Sequence, residues 1–108
     1  MWNKICDVAD LTPYQGRGAL VGEAQLALFY LPETEQAVYA IDNWDPIGEA
    51  FVLSRGIVGD IGGRDCVASP LYKQHFDLTS GECIEDPDVS VKTWLVEIRG
   101  EEVWVMSA

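Results

Sequence analysis

Short apolar runs, broken by Gly and Pro, set the rhythm of the chain. Trp2 to Val8 reads as an opening strand, and Ala9-Asp10-Leu11-Thr12-Pro13 as a turn, because proline removes a ladder donor. Gly16-Arg17-Gly18 predicts a flexible lead into Ala19-Leu20-Val21, with Gly22-Glu23 as a tight hairpin connection. The run Ala24-Gln25-Leu26-Ala27-Leu28-Phe29-Tyr30-Leu31 carries one polar residue, as a strand buried on both faces requires, and Pro32 stops it. Ala37 to Ile41 resumes aromatic and β-branched character, so the two runs form a hairpin across Glu33-Thr34-Glu35-Gln36.

Glu49 to Gly56 lacks a period and reads as irregular or as a short turn. Ile57 to Ile61 and Asp65 to Ala68 form a second hairpin, since Gly62-Gly63 tolerates the positive φ of a primed turn. An extended His75-Phe76-Asp77-Leu78 sends Phe76 and Leu78 to one side and His75 to the surface, before a turn at Thr79-Ser80-Gly81. Glu82 to Ser90, with Glu82, Glu85, Asp86, Pro87 and Asp88, predicts a solvated connection. Val91 to Ile98 places Trp94, Val96 and Ile98 on one face, and Arg99-Gly100-Glu101 returns it into Glu102-Val103-Trp104-Val105. The pattern is all-β: a small antiparallel barrel or sandwich of about nine or ten short strands. Residues 1–108 form a single domain.

Composition adds exclusions. The 18 acidic residues outnumber the 7 basic ones, for a net charge of −11, and the cations are scattered. Nucleic acid and anionic membrane are therefore excluded as partners, since both need clustered Lys and Arg. With no leader pattern at Met1 to Asp7 and no long apolar run, the expected location is the cytoplasm. Cys6, Cys66 and Cys83 are odd in number and lack a C-x-x-C pattern, so they read as free thiols, with Cys66 in the core.

Candidate chemistry concentrates between Tyr39 and Gly81. One loop is Ile41-Asp42-Asn43-Trp44-Asp45-Pro46-Ile47-Gly48, and the other runs from Ala68-Ser69-Pro70-Leu71-Tyr72-Lys73 to Gly81. Asp42, Asp45 and Asp77 could hold a hard cation, but Asp beside Pro or Asn is more often a turn former. His75 has no nucleophile at a recognised spacing, so no catalytic residue is assigned. Ser69 and Tyr72 are expected to hydrogen-bond across the two loops. Trp44, Arg55, Tyr72 and Lys73 have the large, polar-tipped side chains that suit a partner interface.

The second loop, Ser69-Pro70 followed by Phe76-Asp77 and Thr79-Ser80-Gly81, resembles that of the Rieske iron–sulfur domain. In that family the loops supply Cys-x-His and Cys-x-x-His to a two-iron cluster. On this chain those positions fall on Asp45 and Ile47, and on Ser69 and Tyr72. The resemblance implies base strands over about 1–42 and 90–108 carrying a degenerate cluster-binding subdomain over about 43–89. It also leads to the expectation that this chain holds no cofactor and no metal.

Trp2-Asn3-Lys4-Ile5-Cys6, Ala40 to Pro46, Val52 to Gly59, Ser69 to Phe76 and Ser90-Val91-Lys92 are similar to one branch, the small subunit of the cytoplasmic NADH-dependent assimilatory nitrite reductase. That similarity implies a subunit of an oxidoreductase. Its large partner subunit carries FAD, an iron–sulfur cluster and siroheme, and reduces nitrite to ammonia. The small chain would be a binding or structural partner without catalytic activity of its own. A free-standing Rieske-type ferredoxin is the alternative.

Overall fold

A computed structural model of the chain describes residues 1–107, and among them the only helical segments are two three-residue 3-10 turns, Val8–Asp10 and Leu53–Arg55. Strands β1 (Trp2–Asp7), β12 (Glu102–Met106) and β11 (Val96–Arg99) form one antiparallel sheet, in the order β1-β12-β11. A second sheet has the order β10-β4-β3-β2, from β2 (Gly16–Val21), β3 (Ala24–Tyr30), β4 (Val38–Asp42) and β10 (Thr93–Trp94). Between β4 and β10 the chain builds a two-residue ladder, β5 (Trp44–Asp45) with β6 (Ala50–Phe51). It then forms a third sheet, β7-β8-β9, from Ile57–Ile61, Arg64–Ala68 and His75–Asp77.

The alternation in β3 and β4 explains how these parts stack. Leu26, Leu28, Val38 and Ala40 point into one core with Leu11, Val21, Val103 and Val105. Their neighbours Ala27, Phe29, Tyr39 and Ile41 point the other way, into a second core with Leu53, Val67, Phe76, Leu78 and Cys83. The β3–β4 hairpin is thus a wall buried on both faces, as its near-continuous apolar sequence predicts.

The all-β expectation holds, with differences that have physical causes. Among the described residues twelve strands form rather than nine or ten, because β5, β6 and β10 are two-residue ladders too short for a period to show. Gly16 to Gly18 belongs to a regular strand instead of a flexible lead; a Cβ on Gly16 would lie 2.1 Å from the Ser54 carbonyl, so glycine allows close approach there. The irregular Glu49–Gly56 stretch contains β6 and the second 3-10 turn, which seats the fully buried Leu53. The run from Val91 to Ile98 breaks at exposed Leu95, where the chain leaves β4 and joins β12. In the acidic connection, Cys83 and Val89 turn inward, with the Cys83 N–H donating to the Val89 carbonyl at 2.9 Å.

Candidate functional site

The two loops fold into the same shape. Asp45-Pro46-Ile47-Gly48-Glu49 closes as a five-residue turn, with the Glu49 N–H donating to the Asp45 carbonyl at 2.7 Å. Ser69-Pro70-Leu71-Tyr72-Lys73 closes likewise, from Lys73 N–H to the Ser69 carbonyl at 3.1 Å. Both end in a left-handed residue, Glu49 at φ 55° and Lys73 at φ 61°. Each first side chain caps its own turn: Asp45 Oδ1 accepts from the Ile47 and Gly48 N–H groups at 2.8 and 3.0 Å, and Ser69 Oγ accepts from Leu71 N–H at 3.3 Å.

The matched turns meet at their first residues. Ser69 Oγ donates to Asp45 Oδ2, and both side chains are buried, so the carboxylate is shared between the loops. Ser69 thus bonds across the two loops as expected, whereas Tyr72 does not: it projects outward, 66% exposed. Ile47 packs against the core that also holds Leu53 and Phe76. The loops touch closely enough that a Cβ on Gly48 would stand 2.5 Å from Leu71 Cδ1 and 2.9 Å from Asp45 Oδ2.

Behind the second loop, Asp77 is the hub. Its Oδ1 accepts from Thr79 and Ser80 N–H at 2.7 and 3.0 Å, and its Oδ2 from Arg64 Nε at 2.8 Å, while Arg64 also reaches Glu82 at 2.9 Å. Burial alone pushes the Asp77 carboxyl up; the Arg64 guanidinium and the Ser80 and Thr79 N–H groups outweigh it and hold the pKa below the ordinary aspartate value. With the folded pKa the lower one, the unfolded chain binds more protons in acid. The contribution of Asp77 to stability is therefore complete above the unfolded value of about 4 and is lost as pH falls through the folded one. Urea midpoints measured from pH 7 to 3 are expected to fall on the acid side, and less steeply in Asp77→Asn.

The three aspartates do not form a cation site. Asp42 accepts from Trp94 Nε1 at 2.9 Å, Asp45 is taken by Ser69, and Asp77 by Arg64. His75 lies at the surface opposite buried Phe76, partly covered, with its Nδ1 2.5 Å from Glu85 Oε2. Exposed apolar groups cluster on the loop elements. Trp44 stacks edge-on against Phe51 with ring centroids 4.9 Å apart, Leu71 of the second loop is 46% exposed, and Ile57 at the start of β7 is 78% exposed. Among the described residues Arg55 and Lys73 have no ion-pair partner, whereas Lys4, Arg64 and Arg99 do. Phe51, Leu71 and Ile57 escaped the sequence reading; a large apolar side chain in a loop or at the end of a short strand is the signal that marks them.

Comparison with known proteins fits this geometry. The family described as Rieske-like [2Fe-2S] domain matches residues 1–106. The chain belongs to the Rieske-like [2Fe-2S] domain family. Within it, the chain falls in the nitrite reductase small-subunit branch. It is 43% identical over 98 residues to the nitrite reductase (NADH) small subunit of Escherichia coli (strain K12), covering 91% of this chain and 90% of that one. It is also 43% identical over 104 residues to the nitrite reductase [NAD(P)H] large subunit of Klebsiella oxytoca, covering 96% of this chain but only 11% of that protein. The solution structure of the E. coli protein NirD superposes with a TM-score of 0.88 at 41% identity, over 97% of this chain and 94% of that one. The ferredoxin of carbazole 1,9a-dioxygenase from Nocardioides aromaticivorans IC177 shares the fold, with a TM-score of 0.81 at 20% identity over 97% and 96% of the two chains.

Membership corrects the expectation of a chain without a cofactor, because this Rieske-like family is one of [2Fe-2S] domains and its fold is shared with ferredoxins. The cluster takes thiolate and imidazole donors. The four loop positions here do not fit that donor set: Asp45 and Ser69 are engaged with each other, Ile47 has no donor atom, and Tyr72 offers a phenol turned outward. The buried thiols of Cys66 and Cys83 lie in the sheet and its acidic connection, and burial pushes both pKa values up, so they stay protonated near neutrality. The disagreement is between the family's group and this chain's donors.

Proposed function

We propose that this chain is the small subunit of an NADH-dependent nitrite reductase, working in the cytoplasm as a docking subunit without catalytic activity of its own. Its partner is the large chain that carries FAD, an iron–sulfur cluster and siroheme and reduces nitrite to ammonia. One observation carries the reading: the same segment occurs as a separate small subunit in E. coli and as 11% of a large subunit in Klebsiella. A fold that accompanies its partner both as a separate chain and within one polypeptide acts beside that partner.

The loop subdomain, residues 43–89, supplies the docking face. Trp44, Phe51, Leu71 and Tyr72 give it apolar and aromatic area, and Arg55 and Lys73 give it cations that have no carboxylate partner among the described residues. Trp44→Ala combined with Arg55→Glu is expected to weaken binding to the large chain by about thirtyfold, the scale of a lost hot spot. Its melting temperature should stay near the wild-type value, because neither side chain is buried. Unchanged co-purification would move the docking face elsewhere.

The family's description favours a second reading, an electron carrier of the ferredoxin type. Visible absorbance bands with about two irons per chain, after anaerobic purification, would establish it instead.

A further inference from the structure

We infer that the Asp45–Ser69 hydrogen bond is a positioning element, which locks the two loop turns into one rigid unit and so fixes the spacing of the side chains that meet the partner. The inference rests on the docking reading above, and its structural half can be tested without it. Three observations lead to it. The turns are equivalent, residue for residue, from Asp45 to Glu49 and from Ser69 to Lys73, each closed by its own backbone hydrogen bond. Among the described residues, a single side-chain hydrogen bond runs between them, joining their first residues, and it is fully enclosed. Among the described residues Asp45 has no ion-pair partner; its two oxygens are satisfied by the Ile47 and Gly48 N–H groups on one side and by the Ser69 hydroxyl on the other.

A buried carboxylate without a counter-charge is stable only where every lone pair finds a donor. Removing Ser69 leaves Asp45 Oδ2 unsatisfied and drives water between the loops. Trp44 precedes Asp45, whereas Leu71 and Tyr72 lie two and three residues beyond Ser69. Separation of the turns therefore changes the distance between the first group and the second. Gly48 acts in the same place by another route: its missing Cβ is what lets Leu71 and the Ser69-bonded oxygen of Asp45 come together.

The test uses the full chain, alone and with its large subunit. In Ser69→Ala, amide hydrogen exchange at Ile47, Gly48 and Glu49 should accelerate about tenfold or more, as expected for a lost hydrogen bond to a charged group. These amides belong to the loop that Ser69 is not part of, so a merely local role would leave them unmoved. Exchange at Leu28 and Ala40, in the central wall, should follow only global stability. Affinity for the large chain should fall about tenfold although Ser69 is 1% exposed and offers the partner nothing to touch. Gly48→Ala, which leaves Asp45 and Ser69 in place, should reproduce both effects. Wild-type exchange at Ile47 to Glu49 in both variants overturns the locking role. Accelerated exchange with undiminished affinity overturns the positioning role. If Trp44→Ala with Arg55→Glu leaves binding intact, the docking reading fails by itself, and exchange in the isolated chain still decides whether the loops are coupled.

Discussion

Gly81→Ala is expected to destabilise the protein by about 3 kcal/mol, from roughly 1–2 for a left-handed non-glycine residue and a similar amount for overpacking. For a domain of this size that lowers the melting temperature by about 12 °C or more. Gly81 sits at φ +79°, and a Cβ there would lie 2.1 Å from the Val91 carbonyl oxygen. The neighbour is backbone and cannot rotate away. It is also held in place, since the Val91 N–H donates to the Gly81 carbonyl at 2.9 Å and the Gly81 N–H donates to that of Asp77 at 2.8 Å. The substitution would part the acidic connection from the Asp77 hub and disturb the return of the chain into β10. Gly59→Ala is the control: no atom lies within 4 Å of its added Cβ and its φ is not left-handed. Thermal melts of the two variants side by side separate a general cost of alanine from the steric one, and equal shifts would refute this account of Gly81.

Phe76→Ala is expected to cost about 3–5 kcal/mol, the range for emptying a buried aromatic site. Phe76 is completely enclosed, with Phe29 and Tyr39 of the wall and with Leu53, Val67 and Leu78 of the loop half in the same core. It pairs with Val67 on β8 and bridges to Cys83 on its other side, so the cavity would open where the second loop is anchored. Phe76→Leu keeps most of the volume and should cost about 1 kcal/mol. Urea titrations give both values. An alanine variant no less stable than the leucine one would mean that the core collapses around the gap.

Much of this architecture is legible in the sequence because strands and glycine turns leave short-range signals. The β3 run, the Gly62-Gly63 turn and the hairpin at Gly100 need only period-2 alternation and a tolerance of positive φ to be found. The matching turns were marked by Pro46 and Pro70, and the site-like layout between Tyr39 and Gly81 was visible. The partner that Ser69 finds across the loops was not, because that depends on how two distant segments approach. Ser69 reaches Asp45, twenty-four positions away, while Tyr72, which shares its turn, points outward and takes no part. Glu49 and Lys73 adopt left-handed backbone without the Gly or Asn that would announce it. The break at Leu95 is hidden for a similar reason: the alternation of Trp94, Val96 and Ile98 continues through a change of partner strand. The expectation about the cofactor failed at another level, since four loop residues do not speak for the family that the chain as a whole belongs to.

The two-sided burial of β3 and β4 limits what substitutions the chain can accept. In an ordinary half-exposed strand every second position has latitude, because its side chain answers to solvent alone. From Leu26 to Phe29 and from Val38 to Ile41 no position has that freedom: odd-numbered residues must satisfy the loop half, and even-numbered ones the base. A change of size at Leu28 or Phe29 presses on one core and is braced by the other. Sequence variation compatible with the fold is therefore pushed outward, to Leu20, Ile57, Leu71 and Tyr72, where a side chain has no second core to satisfy.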